Sequence, residues 1–208
     1  MKNAPNPPSS AQPCSRRQVL GSGMGALLMT TWPARANFER TEMDTSYAPS
    51  GKGIITGKGA GDFDFLTGEW TIRHRRRPDM AKEDWTEFAS GAMVHRVLNG
   101  MASIEELRKP DGSDLGMGVR VWLPDEHKWA DHWTSAATGI VGMPQKGQFI
   151  DGDGVFISNE GVDGIDWIYR GVWDRITATS CRWHQSASRD GGQSWAWNWW
   201  MEWTRVAS

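Results

Sequence analysis

The sequence predicts an all-β protein, a single antiparallel up-and-down β-barrel of about ten strands over residues 61–208. Three observations predict this fold. Short runs of alternating apolar and polar residues, typical of half-buried strands, follow one another along the chain. The runs are separated by turn sequences such as Asn99-Gly100 and Asp190-Gly191-Gly192, which favour tight hairpins. No stretch of helical length has the 3.6-residue apolar period of an amphipathic helix.

Residues 1–36 have the features of a bacterial export signal. Arg16 and Arg17 precede an apolar stretch that runs to Trp32, and an Ala-x-Ala pattern ends at Ala36. Paired arginines are typical of the twin-arginine route. The apolar stretch is shorter than the roughly 20 residues that a membrane span needs. We therefore expect signal cleavage, no stable membrane anchor, a periplasmic location, and the twin-arginine translocase as partner during export.

The predicted elements follow in chain order after the signal. Residues 37–60 are polar and rich in glycine, so a flexible leader is expected there. A helical turn over residues 62–67 is the one helical piece expected. The predicted strands lie near residues 69–77, 85–98, 101–108, 116–123, 128–136, 147–151, 154–159, 164–172, 176–186 and 194–205. A sheet of this size that closes on itself has no exposed edge and is wide enough to enclose a small ligand.

Composition restricts the class of protein. Residues 1–36 carry basic side chains and no acidic one, so their removal makes the net charge, −2 for the whole chain, more negative. An acidic chain lacks the positive surface needed to bind nucleic acid, and we exclude nucleic acid as a partner. Cys14 is lost with the signal and Cys181 remains alone, so no intramolecular disulfide is expected. Composition does not indicate an oligomeric state.

Strand alternation assigns side chains to two faces of the sheet. On the last strand, one face is expected to carry Trp195, Trp197, Trp199, Met201 and Trp203. On the fifth strand, one face is expected to carry Trp129, Asp131, Trp133 and Ser135. Because aromatic residues occur on both faces, alternation alone leaves open which face lines the interior.

Two motifs resemble those of a known family. The stretch Phe63-Asp64-Phe65-Leu66-Thr67-Gly68-Glu69-Trp70 resembles the FDFxxGxW opening of a largely uncharacterised bacterial family of calycin-like barrels. The segment from Ser188 to Arg205 resembles that family's SxDGGxxWxxNWxM…R ending, and the likeness covers residues 62–205. In calycin barrels, such a tryptophan packs across the barrel floor against an arginine of the last strand. The resemblance therefore implies that Trp70 and Arg205 form a structural pair.

A more distant resemblance, to lipocalins, fatty-acid-binding proteins and nitrobindins, raises the question of a cofactor. A nitrobindin holds haem through a histidine near the last strand, and residues 194–205 contain no histidine. We therefore predict no cofactor and keep haem as an alternative. No two histidines of the mature chain have metal-ligand spacing on one strand face, so no metal site is predicted.

Candidate ligand-binding residues are tryptophans and polar residues embedded in apolar strands. Thirteen of the 14 tryptophans follow residue 36, more than the core of one domain is expected to need. The candidates are Trp129, Trp133, Arg120, Arg170, Trp183, Gln185, Trp197 and Trp199. The corresponding hypothesis is an exported barrel that binds a small apolar or aromatic molecule in a tryptophan-lined cavity.

Two other hypotheses stay open. The first is a cofactor-independent lyase or isomerase in the same cavity, in which His132 or His184 forms an acid–base pair with Asp131 or Glu105. The second is an interaction module that uses exposed tryptophans on the outer wall. The polar residues also fit an internal network in which they satisfy one another's hydrogen bonds.

Overall fold

Ten antiparallel strands form a closed barrel in a computed structural model that describes residues 55–162 and 165–207. Each strand pairs with its neighbours in sequence, and the first strand pairs with the last. The predicted all-β up-and-down barrel is confirmed, and the architecture is consistent with a calycin-like barrel. The predicted signal and residues 37–54 of the predicted leader lie outside the described residues.

The strand bounds agree with the alternating runs in the sequence. They are β1 Gly68–Arg76, β2 Thr86–Val97, β3 Ala102–Arg108, β4 Asp114–Leu123, β5 Lys128–Ser135, β6 Gln145–Ile150, β7 Asp153–Val162, β8 Ile165–Asp174, β9 Ser180–Ser188 and β10 Ala196–Arg205. Short 3-10 helices occur at Asp64–Leu66, Leu98–Gly100 and Pro124–Glu126. At the predicted Asn99-Gly100 turn, both residues have the positive φ angles that a tight connection needs.

The barrel has one closed end, which the 3-10 helix Asp64–Leu66 plugs. Phe63 and Leu66 are buried there among aromatic side chains of several strands. The Phe63 ring makes edge contacts with Trp129 and Phe149, each at a centroid distance of 4.9 Å. At the opposite, open end lie the connections 77–85, 109–113, 136–144 and 189–195. The core is therefore concentrated at one end of the barrel.

Trp70 and Arg205 join the plug to the seam between β1 and β10. The two residues are register partners, and the Arg205 guanidinium lies 4.2 Å from the centroid of the Trp70 ring. Arg205 donates hydrogen bonds to the carbonyl oxygens of Phe65, Thr67 and Ala178. One side chain thus links the plug, the closing seam and the β8–β9 connection.

Residues 55–60 pack against the closed end. Ile55 is buried, and the Asp62 carboxylate accepts hydrogen bonds from the hydroxyl of Thr56 and from the backbone N–H groups of Gly57 and Gly59. The leader predicted for residues 37–60 therefore overlaps the packed structure at its last residues. Glycine-rich composition indicated mobility, but Asp62 satisfies the backbone donors of this segment.

A β-bulge in β10 changes the face on which its tryptophans lie. The register with β9 shifts between Trp197 and Trp199, so that Trp197 is opposite Ser186 and Trp199 is opposite Gln185. Because Asn198 is an extra residue in the strand, strict alternation fails there. The prediction that Trp197 and Trp199 share one face is therefore wrong. Trp199 faces inward and Trp197 faces outward.

We predict that Arg205→Ala destabilises the barrel by about 3 kcal/mol, because three carbonyl groups at the closed end lose a charged donor. Urea unfolding followed by far-UV circular dichroism measures the loss. Arg73→Ala is the matched control, since the Arg73 side chain lies on the outer wall of the adjacent strand and is exposed. Equal unfolding free energies for the two variants would contradict the proposed role of Arg205.

Candidate functional site

Inner-facing side chains are less exposed to solvent at the closed end of the barrel than at the open end. Near the closed end, inner-facing Trp70, Trp129, Phe156, Trp173 and Trp203 are almost completely buried. Towards the open end, the partly exposed inner-facing side chains are Phe88, Asp131, Gln145, Tyr169, Trp183, Gln185 and Trp199. An inner-facing side chain of a closed barrel reaches solvent only through the mouth. The interior near the mouth, which we call the open half, is therefore in contact with solvent.

A cluster of three charged side chains lies in the interior, on strands β3, β4 and β5. Arg120 donates a hydrogen bond from Nη2 to Oε2 of Glu105, and its Nε lies 3.5 Å from Oδ1 of Asp131. The guanidinium also lies 5.1 Å from the ring centroids of both Phe63 and Trp173. Nε and Nη1 of Arg120 are buried and have no hydrogen-bond partner among the described residues. One cation thus lies against two carboxylates, and two of its nitrogen atoms are left without a hydrogen bond.

Register explains why these three residues meet. Arg120 is opposite Asp131 in the β4–β5 pair, and Glu105 is opposite Gly118 in the β3–β4 pair. Gly118 has no side chain, and a Cβ at this position would lie 3.2 Å from Nη2 of Arg120. Because residue 118 is glycine, the Arg120 side chain has enough space to reach Glu105.

Burial makes the charged forms of both carboxyl groups unfavourable. It raises the pKa of Glu105 and the pKa of Asp131, although the neighbouring Arg120 charge opposes the shift. The pKa of Arg120 is raised, because the two carboxylates outweigh the effect of its own burial. Asp131 is the more accessible carboxyl group, with a side chain 16% exposed against 3% for Glu105. The cluster can therefore take up a proton, and Asp131 is the group placed to exchange it.

A second polar group in the interior centres on His74 of β1. Nε1 of Trp199 donates to Nδ1 of His74 at 3.2 Å, and Nε2 of His74 lies 2.7 Å from the hydroxyl of Ser90. Because an indole nitrogen only donates, Nδ1 must be the acceptor and Nε2 carries the proton. The His74 ring also stacks on Phe88 at 4.3 Å. These contacts hold Trp199 in place at the inner wall.

Burial lowers the pKa of His74 to about 4, and the neighbouring Arg76 charge adds to the shift. The imidazole is therefore neutral at neutral pH. Sequence reasoning did not select His74, Ser90 or Phe88. Alternation with Trp70 and Ile72 along β1 was the signal that places His74 on the inner face.

The histidines and carboxylates expected to form acid–base pairs lie on opposite faces of the wall. Asp131 and Glu105 face inward and share Arg120. His132 faces outward, and its Nδ1 lies 3.2 Å from the Gly142 carbonyl oxygen. His184 also faces outward, with Nε2 3.1 Å from Oδ2 of Asp174. The structure does not bring either predicted histidine to an interior carboxylate. His132 follows Asp131 on one strand and therefore points to the opposite face, and His184 faces outward on β9.

The eight candidate ligand-binding residues divide into three groups. Trp133, Trp183, Gln185 and Trp199 face the open half, together with Arg120 at its base. Trp129 is fully buried in the closed end and packs against Phe63. Arg170 and Trp197 lie on the outer wall, where the Arg170 guanidinium lies 4.1 Å from the Trp195 ring. Local sequence did not separate these groups, because each contains tryptophan or arginine on an alternating strand.

The outer wall holds its own polar group beneath two tryptophans. Arg182 and His184 both bond Asp174, and His184 packs against the rings of Trp197 and Trp200 at 4.6 and 4.8 Å. Although burial opposes it, bonding to His184 and Arg182 lowers the pKa of Asp174. Burial lowers the pKa of His184. The covering rings leave His184 with very little exposed surface, so this group fits a structural role.

The interior offers haem no free histidine among the described residues. Among the described histidines, His74 alone faces inward, and both of its ring nitrogens already have partners. A haem iron needs a free histidine nitrogen or an equivalent axial ligand. No three His, Cys, Asp or Glu side chains within residues 55–162 and 165–207 are grouped so as to hold a metal ion.

In comparisons with known proteins, no family model matches this chain, and no curated protein is significantly similar to it in sequence. The resemblance to calycin-like families therefore stays a prediction beyond the level of fold. No helix in the described part of the chain has the length and apolarity needed to cross a membrane. Function has to be argued from the interior itself.

We predict that His74 makes the barrel less stable as the pH falls from 6.5 to about 4. The unfolded histidine binds a proton in this range and the folded one does not, so protonation favours unfolding. The contribution of His74 lowers the free energy of unfolding by about 3 kcal/mol between pH 6.5 and about 4. Urea unfolding at several pH values should show the same slope in the parent and in His95→Gln, which changes an exposed histidine, and a smaller slope in His74→Gln, where buried His184 still contributes. An unchanged slope in His74→Gln would exclude His74 as the cause.

We also predict that Arg120→Met costs about 3–5 kcal/mol of stability at pH 7, because two buried carboxylates lose their cation. The loss should be smaller at pH 5 than at pH 7, because burial already raises the pKa of both carboxyl groups and removal of Arg120 takes away the charge that opposes this shift. Arg108→Met, which removes an exposed arginine paired with Glu106, should cost less than about 1 kcal/mol. Urea unfolding at both pH values measures the difference, and equal losses would refute the charge argument.

Proposed function

We propose that this protein binds a small, uncharged, largely aromatic molecule in the open half of the barrel. One observation carries the proposal: inner-facing side chains are buried at the plugged end and partly exposed at the other. The barrel therefore has an accessible interior above a packed base. Concave, mostly aromatic interiors with a few polar groups are typical of small-molecule sites.

The aromatic walls of the open half support an aromatic or apolar ligand. Trp183 and Trp199 pack edge to face at 5.7 Å, and Phe88 stacks on His74 beside them. Hydrogen bonding to His74 fixes the orientation of the Trp199 ring. Rigid aromatic side chains offer large contact areas with little loss of conformational entropy.

The charges at the base support an uncharged ligand. Glu105 and Asp131 outnumber Arg120, so a ligand carboxylate would meet a net negative environment. Nη1 of Arg120 is a buried donor without a partner, and the partly exposed Asp131 offers an acceptor beside it. A hydroxyl, phenol or primary amide satisfies both groups at once. We therefore assign the polar end of the ligand to Arg120 and Asp131.

The N-terminal sequence supports a periplasmic place of action. Residues 1–36 predict export by the twin-arginine route, which carries folded proteins. We propose that the barrel folds before export and meets its ligand in the periplasm.

N-phenyl-1-naphthylamine, an uncharged aromatic fluorophore with an N–H donor, tests the proposal. We expect one probe to bind per barrel, with a blue-shifted and stronger emission. Trp199→Ala should weaken binding by about tenfold or more, which corresponds to about 1.4 kcal/mol. Trp200→Ala is the matched control, because Trp200 is the next residue on the same strand and faces outward. We expect it to change the affinity by less than about twofold.

Asp131→Asn provides a second comparison at the polar end of the site. It preserves shape and removes charge, so probe affinity should change while urea unfolding shows a folded protein. Absence of saturable binding in the parent, or equal losses in Trp199→Ala and Trp200→Ala, would rule out a binding site in the open half.

A second candidate function, proton transfer next to a carbonyl group, is favoured by the raised pKa of Asp131 beside the free donor of Arg120. In such a reaction Asp131 takes a proton from the carbon and Arg120 stabilises the charge that develops on oxygen. Deuterium incorporation into phenylacetone in heavy water tests it. We expect the parent protein to accelerate deuterium exchange and Asp131→Asn not to accelerate it. Equal exchange rates with the two proteins would eliminate this function.

A further inference from the structure

The connection between β5 and β6, residues 136–144, exposes three aliphatic side chains at the open end. We call this segment the mouth loop. Ile140, Val141 and Met143 are 70%, 61% and 74% exposed. The mouth loop contains no charged residue. Exposed apolar side chains grouped on one protruding segment mark contacts with other proteins or with membranes.

The backbone of the mouth loop is held in a defined conformation. The N–H of Gly139 donates to the Ser135 carbonyl oxygen, and the N–H of Gly142 donates to the Trp133 carbonyl oxygen, both at 2.8 Å. Val141 also forms an isolated bridge with Thr134. The three aliphatic side chains are therefore presented to solvent by an ordered turn, although burial would stabilise each of them.

We propose that the mouth loop inserts Ile140, Val141 and Met143 into the surface of a phospholipid bilayer. Its apolar side chains would lie between the lipid headgroups and the acyl chains, where uncharged segments insert at least cost. The position of the loop then sets the open end of the barrel against the membrane. This membrane contact does not depend on ligand binding in the open half, and its test is independent of the ligand-binding test.

The size and charge of this surface favour a bilayer over a protein partner. Three side chains offer far less than the roughly 800 Å² that each partner buries in a stable protein interface. A fluid lipid surface requires no matching shape. The chain carries net negative charge, so attraction to anionic headgroups does not supply the binding energy. Insertion of apolar side chains must therefore supply it, and zwitterionic vesicles should bind at least as well as anionic ones.

A fluorophore at the mouth loop tests the insertion directly. In a Cys14→Ser background, Met143→Cys carries an environment-sensitive nitrobenzoxadiazole label, while buried Cys181 stays unlabelled. Leu98→Cys is the matched control, because Leu98 is 72% exposed at the opposite end of the barrel. With phosphatidylcholine vesicles we expect a blue shift and an intensity rise for the Met143 label and neither for the Leu98 label.

Vesicle flotation provides the second measurement. Replacing Ile140, Val141 and Met143 together by serine should reduce the vesicle partition coefficient by about tenfold or more, since about 25 cal/mol is lost per Å² of apolar contact. Equal responses of the two labels, no response of either, or binding only to phosphatidylglycerol vesicles would overturn the proposal. Light scattering that shows a dimer in the parent and a monomer in the serine variant would instead identify this surface as a self-association contact.

Discussion

Insertion of Phe63 and Leu66 into one end of the barrel is the constraint on which the rest of the structure depends. The inserted side chains fill the space among Trp129, Phe149 and Trp173, so a dense aromatic core forms there. Since the plug occupies one end only, the barrel is left asymmetric. Burial of apolar area concentrates stability at the closed end and leaves the other end free for function.

The plug also determines where charge is tolerated. Arg120 lies between the rings of Phe63 and Trp173, directly above the packed base. A guanidinium in this position loses its water and requires compensation, which Glu105 and Asp131 provide from the two adjacent strands. Burial raises the pKa of both carboxyl groups, although the Arg120 charge opposes the shift. The base of the open half therefore holds one cation between two carboxyl groups of raised pKa.

The open half and its rim have different physical properties. Inside, Trp199 is fixed by His74 and by packing against Trp183, which makes the inner wall rigid. At the rim, the mouth loop exposes aliphatic side chains on a hydrogen-bonded turn. The proposed ligand site and the proposed membrane contact both lie at the open end of the barrel. The proposed site and the proposed membrane contact are thus compatible, although each rests on separate observations.

Local sequence by itself determined the strands, their turns and the helical turn before β1, because strand alternation and Asn-Gly turns act over a few residues. That this helical turn plugs one end of the barrel is a property of the tertiary structure. Local sequence also included Arg120, Glu105 and Asp131 among the polar candidates. Only the tertiary structure decided that these three meet, since they come from three strands whose relative register no local pattern encodes. It likewise decided the outward position of Trp197, because the bulge at Asn198 interrupts the alternation on which the sequence prediction depended.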